Sequence, residues 1–172
     1  PQNRRRVFFI GNRLSKRIIF LGAKNKKLVT VKEAIGYYPK LRSGQTSLIP
    51  NHKAMNHTAQ MLEKMKFIKD GGNRESIPTQ IRPMTGDVRK YIRYDSKKPS
   101  VTVTGDMRKI FHYKQNRALT VRELAKLQSF KDDFVFKGSS ISQQQQVGNA
   151  VPPLLARAIA RSIKQLIHET YK

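Results

Sequence analysis

The stretch RALTVRELAKLQSF, residues 117–130, predicts a helix with a well-defined start. Thr120 and Glu123 stand three residues apart, the spacing of a capping box, in which each side chain bonds a free backbone N–H in the first turn. Beyond the cap, one helix face carries Val121, Leu124, Ala125 and Gln128. The segment therefore predicts a short helix that packs on its apolar face.

Three further helices follow from local signals. Thr30 and Glu33 repeat the capping-box spacing, so a short helix should start there and end near Gly36. Apolar residues recur at three-to-four spacing within residues 57–69, ahead of two glycines, which predicts a second helix. The pair Pro152-Pro153 can open a long helix, because proline lacks an N–H that the first turn would leave unpaired. Its main apolar stripe is Leu155, Ile159, Ile163 and Leu166.

Strand signals are short and scattered. Two apolar runs, Val7 to Ile10 and Ile18 to Leu21, are joined by a basic turn and predict an N-terminal hairpin. Residues 100–104 alternate with period two, which predicts a half-buried strand with Val101 and Val103 on one face. Residues 71–86 contain Gly, Pro and polar residues and predict a loop. Short strands mixed with segregated helices indicate an α+β fold rather than a regular βαβ alternation.

The charge of the chain points to a polyanionic partner. The 172 residues contain 35 Lys and Arg against 11 Asp and Glu, a formal net charge of +24. Leu, Ile, Val and Phe make up about a quarter of the residues, enough for a folded core. Nucleic acid is the first hypothesis for the partner. No apolar run reaches the roughly 18 residues of a membrane span, so a soluble protein is expected.

The sequence contains no cysteine, which excludes disulfides, thiolate metal clusters and a cysteine nucleophile on this polypeptide. The four histidines lack metal-ligand spacing, and no metal site is predicted. They are interpreted as ordinary surface or helix-end residues: His52, His57, His112 and His168.

Three stretches, read in order, resemble the carboxyl-terminal half of the DNA cytosine-5 methyltransferases. They are PQNRRRVFFIG at 1–11, RALTVRELAKLQSF at 117–130 and VGNAVPPLLA at 147–156. These resemble the eighth, ninth and tenth motifs of the family. Residues 29–39, 71–78 and 99–105 also resemble its bacterial branch, so the likeness covers nearly the whole chain.

The resemblance implies a defined chemistry. Members of the family flip a cytosine out of double-stranded DNA, attack its C6 with a cysteine thiolate and transfer a methyl group from S-adenosylmethionine to C5. The cysteine belongs to the amino-terminal half, so this chain is expected to be inactive without that half or subunit as its partner. A cytoplasmic protein of bacterial or phage restriction-modification, with no membrane contact, is implied.

The resemblance also implies roles for individual residues. Arg6 matches the arginine that hydrogen-bonds the O2 edge of the flipped cytosine, and Arg4 and Gln2 shape the same pocket. The alternative for the arginines is simple phosphate contact. Asn149, Ala150 and Val151 match the loop at the methionine end of S-adenosylmethionine; the alternative is a plain Gly-Asn turn before a helix.

Expected DNA contacts fall into two groups. Thr102, Thr104 and Gly105 match a strand and loop that contact backbone phosphates, the alternative being a polar strand face in solvent. Base recognition is expected within residues 36–108, where four basic side chains are candidates for base edges: Arg74, Arg82, Arg89 and Lys90. Arg122 and Glu123, in the ninth motif, are interpreted as structural first and DNA-contacting second.

The predicted organisation has three parts. Residues 1–28 and 147–172 would belong to a Rossmann-like catalytic domain that lies elsewhere, and residues 29–146 would form the target-recognition domain. The chain could be a separate subunit of a split enzyme or a piece of a longer one. The rival hypothesis is a non-enzymatic basic nucleic-acid-binding module, which predicts no S-adenosylmethionine site after assembly; a ribosome-like basic protein is a third.

Overall fold

A computed structural model describes residues 2–14, 27–87 and 89–171. Their helices are α1 Val31–Ile35, α2 Ala59–Phe67, α3 Val121–Leu127, α4 Ser140–Asn149 and α5 Pro153–Thr170, with a single 3₁₀ turn at Arg74–Ser76. Two short strands, β1 Ile92–Arg93 and β2 Ile110–Phe111, pair in parallel. This mixture agrees with the predicted α+β class. No helix of the described part has the length and apolar character needed to cross a bilayer.

The predicted helix starts are confirmed by their caps. Both capping boxes form: the Thr30 and Thr120 hydroxyls accept from the backbone N–H groups of Glu33 and Glu123, whose carboxylates bond the cap N–H in return. Thr58 caps α2, and Pro152 and Pro153 open α5. Each predicted helix therefore forms where its local signal places it, within about two residues.

Two strand predictions are wrong in the described residues. Residues 7–10 are not in a strand, and the second half of the predicted hairpin, residues 18–21, lies outside the described residues. Residues 101–104 join no ladder; Ser100 alone forms an isolated bridge, to Gln2. Val103 is buried, but Val101 is 50% exposed, so the two valines do not share one buried face.

The core consists of two apolar clusters that share the β1–β2 pair. The larger cluster packs α1, α3 and α4 around residues such as Ile35, Leu124 and Val147. The smaller one joins Met65 and Ile68, from the end of α2, to Phe111 of β2. Residues 68–110 contain little regular structure. The two clusters pack both ends of this stretch against the helices.

Buried charge organises the interior. Arg117 and Glu123 form a two-pronged ion pair with N–O distances of 2.8 and 2.6 Å, and both are fully buried. The buried Arg122 guanidinium donates to the carbonyls of Pro50, Lys131 and Phe134. The structural interpretation of Arg122 and Glu123 is thus confirmed.

The histidine interpretation needs correction. His52 and His112 are almost fully buried, not on the surface. The ring of His52 bridges the Thr120 hydroxyl and the Pro39 carbonyl, and His112 Nδ1 accepts from the N–H groups of Lys114 and Gln115. His168 does lie in the last turn of α5. Burial is tolerated because internal partners satisfy these ring nitrogens.

Candidate nucleic-acid interface

The predicted site residues meet at a junction of three segments: residues 2–4, residues 100–105 and the end of α4. Asn3 N–H donates to the Ser100 carbonyl at 2.8 Å, and the Thr102 hydroxyl donates to the Asn3 carbonyl at 3.0 Å. Arg4 Nη1 reaches both the Val103 carbonyl, at 2.9 Å, and the Gly148 carbonyl, at 3.0 Å. One guanidinium therefore ties all three segments together.

Two glutamines complete the junction. The Gln2 side chain accepts from Val103 N–H at 3.1 Å and donates to the Gln128 side-chain oxygen. Gln128, fully buried after α3, donates in turn to the Val147 carbonyl at 2.7 Å. Sequence reasoning missed the role of Gln128. A glutamine on an otherwise apolar helix face was the available signal, since a buried amide requires partners.

Gly148 allows α4 to approach residues 104–105 at backbone contact. A Cβ built on Gly148 would lie 2.3 Å from the Thr104 carbonyl carbon and from the Gly105 nitrogen. A Cβ on Gly105 would lie 3.4 Å from the Gln145 Cα, an ordinary van der Waals distance, so Gly148 is the glycine that this contact requires. Gly148 and Asn149 form the last turn of α4 rather than a loop, and the connection to α5 is only Ala150 to Pro152.

The junction separates the predicted pocket residues into two kinds. Gln2 and Arg4 are engaged in it, whereas Arg6 is exposed and, among the described residues, bonds the neighbouring Arg5 carbonyl at 2.6 Å. Asn149 and Val151 are also exposed, and Ala150 is half-buried. Ala150 N–H is already taken by carbonyls of α4. Arg6 and the Asn149 amide are therefore the side chains with polar groups left to offer.

A first groove, of about 630 Å³, lies beside the junction and gathers four of the predicted DNA contacts. Arg89, Lys90, Thr102 and Thr104 all line it. Its cations have acidic neighbours: Arg89 pairs with Asp87 at 3.0 Å, and Lys90 pairs with Asp106 at 3.0 Å. Hydrogen bonds from Arg108 first, and from Lys90, hold the pKa of Asp106 well below its usual range.

Arg74 and Arg82 do not line this groove. Both bond Glu75, at 3.3 and 3.0 Å, and Arg82 also donates to the Ile77 and Glu75 carbonyls. Their side chains are mostly buried and brace the loop after α2. Of the four candidates for base edges, the structure brings only Arg89 and Lys90 next to the threonines.

A model of the C-5 cytosine-specific DNA methylase family matches residues 1–165. The chain belongs to that family. Members with related sequences include the Type II methyltransferase M1.HphI of Haemophilus parahaemolyticus, 63% identical over 96% of this chain and 45% of the relative. The chain therefore spans about half the length of that methylase. M.AquIB of Picosynechococcus is 40% identical over 68% of this chain and 88% of its own length.

A solved methylase structure has the same fold. It is described as a DNA modification methyltransferase encoded within a prophage (E. coli), and it superposes with a TM-score of 0.65 at 20% identity. The match covers 87% of this chain and 50% of the other. The arrangement of helices and short strands described above is thus also present in that solved structure.

Proposed function

We propose that this chain is the DNA-recognition portion of a DNA cytosine-5 methyltransferase, which transfers a methyl group from S-adenosylmethionine to C5 of a flipped cytosine. Family membership supports the reaction class. The observation that carries the proposal for this chain is the junction, because it links the basic N-terminal segment, the segment with the threonines that we expect to contact phosphate, and the end of α4. We propose in addition that residues 1–28 and 147–172 pack on the catalytic half and that residues 29–146 recognise DNA.

Arg6 is the residue we assign to the flipped base. A guanidinium beside O2 stabilises negative charge as it develops on the attacked ring, and it does so best where water is excluded. Arg6 is exposed in this chain, so it can be covered by the catalytic half. Gln2 and Arg4 act through the junction: they fix the N-terminal segment that carries Arg6 and are positioning residues.

The residues at the end of α4 fit a cofactor contact in part. The exposed Asn149 amide has no partner among the described residues, and Val151 is exposed beside it. These groups would hold the methionine end of S-adenosylmethionine, which when bound supplies the methyl group. The Ala150 N–H is used inside α4, so we assign no donation to it.

The catalytic cysteine must come from another polypeptide or segment, since these 172 residues contain none. We therefore propose that the chain is inactive alone and acts on double-stranded DNA together with an amino-terminal half. The test is to mix it with the part of M1.HphI that it does not match, and to measure methyl transfer into duplex DNA and S-adenosylmethionine binding by calorimetry. Transfer and a new cofactor site are expected only in the mixture.

Arg6→Ala sharpens this test. Transfer should fall by roughly 10²- to 10³-fold, the usual effect of removing one group that stabilises developing charge, while duplex affinity changes little. Arg13→Ala, which removes another exposed cation from the same segment, is the matched control and should leave transfer near normal. A folded mixture that binds DNA but no S-adenosylmethionine would favour the non-enzymatic module instead.

A further inference from the structure

A second groove, of about 670 Å³, lies between residues 40–45, helix α2 and the turn at 115–116. Its exposed cations are Lys40, Arg42 and Lys66. None of the residues that line it is acidic. Within the described part of the chain, none of these three cations forms an ion pair. The residues that line the groove therefore carry a formal net charge of +3, which no ion pair among the described residues offsets.

Two of the amides that line this groove use their oxygens for internal hydrogen bonds. Gln45 Oε1 accepts from Arg42 N–H at 2.7 Å, and Asn116 Oδ1 accepts from the Arg93 guanidinium at 2.7 Å. Both partners can only donate, so each amide must direct its oxygen, rather than its NH₂ group, toward that partner. The NH₂ groups of Gln45 and Asn116 remain, and they have no acceptor among the residues the structure describes.

The oxygen of a third amide is occupied as well. Gln115 Oε1 accepts from Leu41 N–H at 2.8 Å and from Arg117 Nε at 3.0 Å. All three amide oxygens on this wall are thus turned to internal donors. Cations and amide N–H groups that converge without an acceptor are the composition of a site for phosphate oxygens.

The first groove differs in both charge and position. Asp87 and Asp106 balance Arg89 and Lys90, the two cations that line the first groove, whereas no acid lines the second groove. Ile92 of β1 lines the first groove, while the next residue, Arg93, holds Asn116 in the second. Successive strand residues point to opposite faces, so the grooves lie on opposite sides of β1.

We propose that the second groove binds the phosphodiester backbone of DNA, without reading sequence, as a site separate from the first groove. The proposal rests on the proposed function and adds a second stretch of phosphates to it. Lys40, Arg42 and Lys66 neutralise phosphate charge, and the NH₂ groups of Gln45 and Asn116 bond phosphate oxygens. Because these cations and NH₂ groups would contact phosphate oxygens, which are the same at every base pair, the proposed binding is insensitive to sequence.

The first test compares two double variants of the full chain on a random duplex. Each neutralised phosphate contributes about 0.9 to the slope of log K against log salt, so Lys40→Ala with Lys66→Ala should reduce that slope by about 2 and lower affinity roughly tenfold or more at low salt. Lys137→Ala with Lys164→Ala removes the same charge from exposed positions outside both grooves and should leave the slope unchanged. Equal slopes for the two variants would overturn the proposal.

Asn116→Asp is an isosteric second test. It keeps the oxygen that accepts from Arg93 but replaces the free donor with a negatively charged acceptor, so the fold should be retained and duplex binding weakened. Lys137→Ala changes the net charge by the same amount and is the control. If Asn116→Asp binds the duplex no more weakly than Lys137→Ala, the groove does not hold phosphate.

Two further experiments are informative. Binding to duplexes of about 12 and 40 base pairs shows whether the two grooves hold one duplex or two. If one bent duplex spans both grooves, Lys66→Ala should weaken binding only of the longer duplex; if a second duplex occupies the second groove, the stoichiometry should double. Arg89→Ala with Thr104→Ala tests the first groove. If that variant loses binding while the second-groove variants do not, only this inference fails; if neither set affects binding, the proposed function fails.

Discussion

Individual arginines show how the charge of this chain is divided. Arg93 is buried and makes five hydrogen bonds, among them bonds to the Met65 and Ile68 carbonyls at the end of α2 and to the His112 carbonyl. Arg117 and Arg122 are equally buried. A guanidinium suits this work because it offers five donors in a rigid plane. Three of the cations counted in the net charge therefore stabilise the fold and are not available to DNA.

Gly148→Ala should be strongly destabilising. The added methyl group would lie 2.3 Å from backbone atoms of residues 104–105, which cannot move aside as a flexible side chain can. Overpacking typically costs about 1–3 kcal/mol, and backbone contact places this site at the upper end. Urea unfolding followed by circular dichroism measures the loss.

Gly11→Ala is the matched control for that substitution. A Cβ on Gly11 meets nothing within 4 Å, so the free energy of unfolding should stay within about 0.5 kcal/mol of the parent. If both variants were equally stable, the close contact between α4 and residues 104–105 would be wrong.

At the scale of elements, two helices begin with the same four-residue device in different surroundings. Thr30, which caps α1, is half-buried, while Thr120 caps α3 and is 2% exposed. The Pro39 carbonyl can only accept, so His52 Nε2 donates to it. Nδ1 of the same ring then accepts from the Thr120 hydroxyl, at 2.9 Å. The second cap thus joins α3 to a buried imidazole.

Threonine-to-alanine substitutions at the two caps should differ in cost. Thr30→Ala should lower the free energy of unfolding by about 1 kcal/mol, the usual value of a cap. Thr120→Ala should cost about 2–4 kcal/mol, because it also leaves the buried His52 nitrogen without a donor. Chemical denaturation of both variants measures the difference, and equal losses would rule out the bond between Thr120 and His52.

Helix α4 was not predicted, although it forms one side of the junction. Its sequence, SISQQQQVGN, has few apolar residues, with four consecutive glutamines and a glycine near its end. A cap from Ser139 starts it, but the helix is stabilised by packing of Val147 into the core and by the contact at Gly148. Tertiary packing of this kind overrides weak propensity, and local sequence signals do not report it.

For the molecule as a whole, buried titratable groups set how stability depends on pH. Burial lowers the pKa of the His112 imidazole to about 4, with Glu123 opposing and Arg117 adding to the shift. In the unfolded chain the same ring titrates near 6.5. The unfolded state therefore binds a proton between these values that the folded state does not. The contribution of neutral, buried His112 to the stability of the fold is complete above pH 6.5 and is lost as the pH falls to about 4.

His112→Asn should make stability less dependent on pH within that window. Asparagine does not titrate, and its oxygen can accept from the backbone donors of residues 114 and 115. The parent should lose about 3 kcal/mol more than the variant between pH 6.5 and 4, from about 1.4 kcal/mol per pKa unit. Denaturation at several pH values tests this. Parallel pH profiles would show that His112 is not buried as a neutral ring.

The sequence predicted those parts of the fold and site whose signals are local. Caps, proline starts and apolar spacing predicted α1, α2, α3 and α5, because each depends on a few neighbouring residues. The strand prediction at 100–104 failed beyond the single bridge at Ser100, because strand formation depends on a distant partner. Motif resemblance identified Gln2, Arg4 and Arg6 as a set. Only the folded chain shows that Gln2 and Arg4 are bonded in the junction and Arg6 is not. The reason is that their partners, Val103, Gln128 and Gly148, are more than 90 residues away.

The close fit of α4 to residues 104–105 also constrains how specificity could be transplanted between methylases. Backbone atoms of α4 pack directly against backbone atoms of residues 104–105, so a change in one of these segments requires a matching change in the other. A chimera that grafts a foreign recognition loop should keep residues 100–105 and 140–149 from one parent. Its crossover points should lie in the turns around residues 71–86. Arg82 and its partner Glu75 should be exchanged together there.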